Sequence, residues 1–181
     1  MRQLITRING LKKIAKSATF STRLMIANEA VMSKVVYLIC VWGGSQEYLL
    51  DVLQVQQLAA ARTVCGFISR FWSKRKLLNR VGWLSIRQLA YFHTVLQAHK
   101  TIQSGKPASL YQAFSTKFPY RTRNATSGRI RYPENLSKAS FKNRAVHYFN
   151  EVPPEVFRGT LATVKYNLRS WVKQNVPLDR G

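Results

Sequence analysis

The stretch that decides the fold is residues 21–66, which read STRLMIANEAVMSKVVYLICVWGGSQEYLLDVLQVQQLAAARTVCG. Ser21 is typical of a helix N-cap, because its hydroxyl can accept an unpaired backbone N–H of the first turn. The Gly43–Gly44 pair is expected to end that helix, since glycine tolerates the left-handed conformation at a C-cap. Ser45 can cap a second helix that runs to Gly66. A connection this short predicts an antiparallel helical hairpin.

Both predicted helices carry apolar residues at helical spacing. The end of the first helix, Val35–Trp42, is apolar all round and is expected to be buried. The second helix is expected to pack one apolar face, with three glutamines and an arginine lying beyond it. The apolar residues are Leu49, Leu53, Ala60 and Val64, and the polar ones are Gln54, Gln56, Gln57 and Arg62. We interpret the hairpin as a scaffold.

The charge of the chain indicates a polyanionic partner. Its 181 residues hold 29 Lys+Arg against 7 Asp+Glu, a formal net charge of +22, and 46% of them are apolar. The apolar fraction suffices for a core. The self-repulsion of so many cations favours a partner that neutralises them. Nucleic acid is the preferred interpretation over an anionic membrane surface.

The two cysteines and the hydrophobic segments bear on location. Cys40 and Cys65 lie in apolar helical contexts, which predicts buried, reduced thiols and an intracellular protein, nuclear or cytoplasmic. Val35–Trp42 is too short to span a bilayer, so no transmembrane segment is predicted. Met1–Ala18 is amphipathic, basic and free of acids. It is either a first helix that docks on the hairpin or a mitochondrial transit peptide.

Capping signals predict the helices that follow the hairpin. Ser73, Ser85 and Thr160 each precede a segment with helical periodicity, and glycine or proline follows each of these segments. The predicted helices are Lys74–Arg80, Ile86–Ile102, Ser109–Phe114, Lys138–Asn150 and one that begins after Thr160. The long helix from Ile86 is expected to be the central one, packed against the hairpin. Pro153–Pro154 is expected to break the helix before it.

The fold class predicted from these signals is all-α. We expect an irregular helical bundle around the antiparallel hairpin, with a basic loop and a smaller C-terminal helical lobe. The segment boundaries are 1–115 for the bundle, 116–136 for the basic and aromatic loop, and 137–181 for the lobe.

No pattern of catalytic or metal-binding residues stands out. His93 and His99 lie six residues apart on different faces of a helix, which indicates structural histidines. The sequence has no Gly-rich phosphate loop, no Cys/His metal spacing and no supported Ser-His-Asp order. We therefore predict no catalytic residue, no metal and no cofactor.

Two segments mix cations with aromatic rings, the composition that suits phosphate contacts and base stacking. One surrounds Phe71 and Trp72, and the other is the loop 116–136 with Phe118, Tyr120 and Tyr132. The alternatives are a solvated basic surface with Trp72 as a core anchor, and a disordered basic linker. The candidate nucleic-acid-binding residues are Arg70, Lys74, Arg75, Lys76, Arg80, Lys117, Arg121, Arg123, Arg129 and Arg131.

The order of motifs resembles the region after the catalytic core in reverse transcriptases of non-LTR, jockey-like retrotransposons. The motifs in residues 1–115 are STRLMIANEAVMSKVVYLICVWGG, LQVQQLAAARTVCG and KLLNRVGWLSIRQLAYFHTVLQAHKTIQSGKP. Those of the remainder are TRNATSGRIR, SFKNRAVHYFNEVPPEV and TLATVKYNLRSWV. The resemblance implies a helical thumb and C-terminal extension, which hold a template–primer duplex by its backbone. The implied partners are RNA, DNA, an RNA–DNA duplex and the polymerase palm.

The sequence lacks the catalytic carboxylate motif of that family. Polymerisation by two metal ions needs clustered carboxylates that hold the ions about 4 Å apart. The family's Tyr/Phe-x-Asp-Asp motif is absent, and Asp51 and Asp179 are the only aspartates, neither beside another carboxylate in sequence. We expect a truncated C-terminal piece that is not an enzyme on its own. The alternative is a basic structural RNA-binding protein, ribosome-associated or mitochondrial.

Overall fold

The computed structural model describes residues 2–37, 39–66, 71–114, 129–130 and 140–178. These residues form helices and no strand, which confirms the all-α prediction. A π-helical turn, Asn28–Met32, and a 3-10 turn, Pro154–Phe157, accompany the α-helices. The α-helices are α1 Arg2–Ile14, α2 Phe20–Ala27, α3 Ser33–Val36, α4 Ile39–Trp42, α5 Glu47–Cys65, α6 Lys74–Val81, α7 Ile86–Ser104, α8 Ala108–Ala113, α9 Phe141–Glu151 and α10 Leu161–Asn175.

The chain divides into two compact units, and the division falls within α7 after Leu89. The predicted boundaries at 115/116 and 136/137 lie outside the described residues and stay predictions. The N-terminal unit comprises Met1–Ile39, Gln46–Leu89 and Leu178–Arg180, and the C-terminal unit comprises Cys40–Ser45, Ala90–Pro177 and Gly181.

Helix α5 is the centre of the N-terminal unit. It packs against α1, α2 and α6, so the two arms of the predicted hairpin are in contact and α1 docks on them. Burial of the apolar faces of these helices supplies the main driving force for their association. The buried residues include Leu4, Ile8, Leu11, Ala27, Val31, Val35, Ala60, Ala61, Val64, Leu77 and Leu78.

The first arm of the hairpin is less regular than predicted. Its N-cap is Thr19, whose hydroxyl accepts from Thr22 N at 3.3 Å, so the prediction of Ser21 is wrong. Thr19 has extended backbone and caps the helix two residues earlier. The π-turn then widens the helix by one residue. Trp83 Nε1 donates to the Asn28 side chain there at 2.8 Å. Helical backbone ends at Tyr37, whose ψ is 117°.

That break also corrects the expected burial of Val35–Trp42. Val35 and Ile39 are buried, but Tyr37 is 69% and Val41 58% exposed. An unbroken helix inside a bundle could cover all its sides, whereas the break at Tyr37 divides this segment into two short pieces that each bury one side. Cys40, in the same segment, is a free and half-buried thiol, as is Cys65, so the predicted full burial is wrong.

The start of the second arm is also different from the prediction. Ser45 Oγ donates to Trp42 O at 2.6 Å, so this hydroxyl closes the turn after α4 and does not cap α5. Helix α5 begins at Glu47 after an extended Gln46 that makes no side-chain cap. The negative charge of Glu47 in the first turn interacts favourably with the helix dipole. Gly66, with φ 81°, ends α5 as predicted.

Two glutamines of α5 are buried, so the prediction that they lie outside the apolar face is wrong. Gln57 Nε2 donates to Leu84 O at 2.8 Å, and Gln54 Oε1 accepts from Ile86 N at 2.9 Å. Gln54 Nε2 also donates to Gln57 Oε1 at 2.8 Å. These bonds satisfy buried amides that would otherwise cost stability. Leu49, expected to be packed, is partly exposed instead.

The starts of α7 and α10 agree with their capping signals, whereas α9 begins at Phe141 after an extended Ser140 and not at Lys138 as predicted. Ser85 and Gln88 form a reciprocal capping box, in which Gln88 N donates to Ser85 Oγ and Ser85 N donates to Gln88 Oε1. Thr160 Oγ1 accepts from Thr163 N at 3.3 Å and caps α10. The Pro153–Pro154 break is present and leads into the 3-10 turn. Helix α7 reaches Ser104 before Gly105.

The C-terminal unit has its own core, to which one piece of the predicted loop belongs. Ile130 is buried, and its backbone N and O are both bonded by the Asn150 side chain of α9 at 2.9 Å. On α10, the stripe Val164, Leu168 and Val172 is buried, while Leu161 is partly exposed. The core cluster consists of Ala98, Phe114, Ile130, Ala145 and Val146, with Ile102, Leu110, Phe141 and Phe149 packed on it.

Candidate nucleic-acid interface

Helix α6 is a short amphipathic helix fixed at both ends. It buries Leu77, Leu78 and Val81. Ser73 Oγ accepts from Lys76 N at the start. At the end, Gly82 adopts a left-handed φ of 71°, with Gly82 N donating to Asn79 O and Trp83 N to Leu78 O. This is a Schellman motif, and it satisfies the last carbonyls of the helix.

The opposite side of α6 is basic and exposed. Arg75, Lys76 and Arg80 are all exposed to solvent there. Positions 76 and 80 are one turn apart and therefore neighbours on the helix surface. Since the helix is anchored by its buried leucines and by both caps, the Cα positions of these cations are held by the fold.

Aromatic rings accompany the cations. Lys76 Nζ lies 4.9 Å from the centroid of the Trp72 ring, and Arg80 Cζ lies 4.8 Å from that of Phe20 on α2. Both are cation–π distances. Phe71 is 85% exposed. We call this group the α6 basic face: Arg75, Lys76 and Arg80 with Phe20, Phe71 and Trp72.

A further arginine lies close to one end of the α6 basic face. Burial raises the pKa of the Cys65 thiol, and the positive charges of Arg80 and Arg23 act in the opposite direction. Both guanidinium groups are therefore near this one sulfur. Arg23 Nε is buried and makes no hydrogen bond within the described structure. The cations thus continue from α6 toward α2.

The structure separates the other predicted binding residues. Lys74 is half-buried, and its Nζ donates to Leu178 O at 3.4 Å, which sets it apart from the exposed cations of α6. Arg129 is exposed but belongs to the C-terminal unit. Five of the predicted residues lie outside the described part of the chain and stay predictions, namely Arg70, Lys117, Arg121, Arg123 and Arg131.

The sequence reasoning missed Phe20 and Arg23. They lie about fifty residues before α6, so no local pattern links the two segments. The signal that could have found them is their own spacing, because residues three apart share one face of a helix. A ring close to a cation is also the combination found around α6, where Trp72 precedes the helix.

Two carboxylates that are not adjacent in the sequence both bind one guanidinium group. Arg87 binds Glu47 Oε2 at 2.6 Å and Asp51 Oδ1 at 2.9 Å. Helix α5 places these acids one turn apart, so Asp51 does have a carboxylate neighbour in space. Their arrangement is an ion pair with an arginine. No group of three His, Cys, Asp or Glu side chains able to hold a metal occurs among the described residues.

The two histidines of α7 are packed against aromatic rings. His99 stacks on Phe157 with ring centroids 5.3 Å apart, and His93 meets Phe92 edge-on at 5.1 Å. Burial lowers the pKa of both, and the charges of Lys100 and Arg169 help to bring the pKa of His93 to about 4. Both rings are therefore neutral at pH 7.

Two further findings concern membrane insertion and similarity to known proteins. Within the described ranges, no helix combines the length and apolarity needed to cross a membrane. Comparisons with protein-family models, with curated proteins and with solved structures gave no match to this chain.

Proposed function

We propose that this chain binds the sugar–phosphate backbone of nucleic acid without reading its sequence, and that the α6 basic face makes the main contact. The proposal includes descent from the thumb and post-thumb region of a non-LTR retrotransposon reverse transcriptase. It also includes the absence of polymerase chemistry from this chain by itself, since its 181 residues contain no Tyr/Phe-x-Asp-Asp motif.

The observation that carries the proposal is the α6 basic face. An eight-residue helix is about 12 Å long, which matches roughly three to four phosphates along one strand of a duplex. Arg75 and Arg80 can each hold a phosphate with two parallel hydrogen bonds, whereas Lys76 acts as a point charge. Because α6 is capped at both ends, little ordering of the backbone is needed on binding.

The rings of the α6 basic face support a nucleic-acid ligand over another polyanion. Trp72 and Phe20 lie under Lys76 and Arg80, and such contacts order the long side chains before binding. The exposed ring of Phe71 offers a surface on which an unpaired base can stack. Stacking accepts every base, in agreement with binding that ignores sequence.

The test is the salt dependence of binding to an RNA–DNA duplex, measured by fluorescence anisotropy with the full chain. Neutralised phosphates release counterions, so log affinity should fall linearly with log salt, with a slope of about −0.9 per phosphate contact. We expect Lys76→Gln/Arg80→Gln to reduce the magnitude of this slope by about 2.

The matched control is Lys165→Gln/Lys173→Gln, which removes the same charge from two exposed positions of α10. This variant should keep the slope of the unmodified chain. A flat salt response would refute electrostatic backbone binding. An equal reduction of the slope in both variants would refute the assignment to α6. The binding would then depend on the total charge of the chain and not on a particular site.

A further inference from the structure

The C-terminal unit contains a cavity of about 490 Å³ that the α6 basic face does not involve. This volume is within the range of small-molecule sites in proteins. The end of α7, the end of α9 and the 3-10 turn form its walls. The residues that matter for its chemistry are His99, Gln103, Arg129, Phe149, Glu151 and Phe157.

One part of the lining is a column of parallel rings. Phe149 and Phe157 stack at 4.5 Å with an interplanar angle of 13°, and His99 stacks on Phe157 at 5.3 Å and 15°. Burial lowers the pKa of His99, which keeps the column uncharged at pH 7. An uncharged aromatic lining of this kind suits a flat ligand ring.

Two residues of opposite charge, Glu151 and Arg129, line the cavity. Glu151 Oε2 accepts from the Tyr91 hydroxyl at 2.8 Å. Burial, and then the bond to Glu151, raise the pKa of Tyr91 above its ordinary range, so this phenol stays a donor and orients the carboxylate. A carboxylate only accepts hydrogen bonds, so it selects a ligand ring that carries an amino group. Arg129 supplies a cation suited to phosphate.

We propose that this cavity binds one nucleotide whose base carries an exocyclic amino group. The base lies against the ring column, its amino group donates to Glu151, and its phosphate pairs with Arg129. The choice of a nucleotide over other anionic rings rests on the proposed nucleic-acid function. The nucleotide is either a free mononucleotide or an unpaired residue of a single strand.

The experiment is isothermal titration calorimetry of the full chain with CMP, UMP and cytidine. CMP and UMP share the phosphate, so their ratio isolates the base, and we expect CMP to bind about tenfold more tightly. Cytidine should bind about tenfold more weakly than CMP, because it lacks the phosphate. Arg129→Ala should reduce CMP binding to the level of cytidine.

Glu151→Gln is the decisive variant. Its amide oxygen still accepts from Tyr91, while its amino group can donate to the carbonyl of uracil, so the CMP/UMP ratio should fall to about one. Glu155→Gln is the matched control, with the same change of charge on the adjacent 3-10 turn but outside the cavity lining. It should keep the ratio. Circular dichroism checks that each variant is folded.

Short single strands of cytidine or uridine nucleotides, and a paired duplex, distinguish the two sources. Base-selective strand binding that is lost in Glu151→Gln identifies an unpaired residue, and selectivity for monomers alone identifies a free nucleotide. Equal binding of CMP and UMP, or a ratio unchanged by Glu151→Gln, overturns the proposal. Salt-dependent duplex binding tests the α6 basic face separately, so either proposal can fail alone.

Discussion

Arg87 in the N-terminal unit and Arg144 in the C-terminal unit are both largely buried, but different groups bind their guanidinium groups. The Arg87 side chain is 15% exposed and binds the carboxylates of Glu47 and Asp51. Arg144 is 8% exposed, and its Nη2 donates to two backbone carbonyls, Cys40 O at 2.9 Å and Val41 O at 3.1 Å. The Nε and Nη1 atoms of Arg144 have no hydrogen-bond partner within the described structure.

The two environments have opposite effects on the guanidinium groups. Burial acts to lower the pKa of Arg87, but Glu47 and Asp51 outweigh it, so the pKa is raised. Burial lowers the pKa of Arg144, and nearby groups compensate only in part. In a chain with 7 acids and 29 basic residues, paired carboxylates are scarce. The N-terminal unit uses two of them on one arginine, and the C-terminal unit holds its buried cation with carbonyl dipoles.

The largest effect is expected from removing both carboxylates of Arg87. Glu47→Gln/Asp51→Asn leaves a mostly buried guanidinium without a counter-charge, which should lower the free energy of unfolding by about 2 kcal/mol, the carboxylates being partly solvated. Urea denaturation at pH 7 measures it. Glu29→Gln/Glu155→Gln makes the same change of net charge at exposed positions and should have little effect. Equal losses in the two variants would mean that net charge, and not the Arg87 pair, sets stability.

A second, smaller effect concerns His93 in the C-terminal unit, which faces Lys100 and Arg169. Its pKa is about 4 in the folded chain against an ordinary 6.5, so between these values the unfolded chain binds a proton that the folded chain does not. The resulting stability is present above pH 6.5 and is lost as the pH falls. We expect a loss of about 1.5 kcal/mol between pH 7 and pH 5, after a discount for partial exposure.

The measurement is urea denaturation across that pH range, carried out on the unmodified chain and on His93→Gln. His93→Gln should make the profile shallower above pH 5, with a remaining slope from His99, whose pKa is also lowered by burial. His147→Gln, which alters an exposed position, should leave the profile unchanged. A His93→Gln profile as steep as that of the unmodified chain would assign the pH dependence to other groups.

The smallest effect is expected at Arg144. Arg144→Met removes a buried charge that has no acidic partner, together with two bonds to carbonyls, and these terms oppose each other. The free energy of unfolding should change by less than about 1 kcal/mol in either direction. A loss of about 2 kcal/mol or more in the same urea assay would show that carbonyl dipoles stabilise this guanidinium as well as carboxylates stabilise Arg87.

Local signals predicted most helix ends, and distant contacts explain the errors. Ser73, Ser85, Thr160 and Gly82 act within one turn of the helices they limit, so their roles could be predicted from neighbouring letters. Periodicity predicts that Gln54 and Gln57 lie outside. They are buried instead, because they bond to partners near residue 85, about thirty residues away. Arg144 likewise interacts with carbonyls about a hundred residues before it. Hydrophobic periodicity does not predict which polar residue the fold buries beside such a distant partner.

The same limit applies to the sites. The cations of α6 were predicted because they are adjacent in sequence, and the ring of Phe20 was missed because it is not. The cavity combines Glu151 and Phe157 with His99 and Arg129, which come from separate parts of the C-terminal unit. The spacing of His99 predicts a structural role, and its stacking on Phe157 agrees with that. The cavity beside it could not be predicted, because residues 99–103, 129 and 149–157 form it together.

The π-turn Asn28–Met32 has a consequence for changes in chain length. Its bonds span five residues, as from Ser33 N to Asn28 O, so it accommodates one residue more than an α-turn. Loss of one amino acid here would convert the turn to ordinary α-helix and keep α2 and α3 in the same rotational phase. The same deletion inside α5 would rotate everything after it by about 100°. The π-turn is thus a point where a one-residue deletion can be absorbed without moving Val35 out of the core.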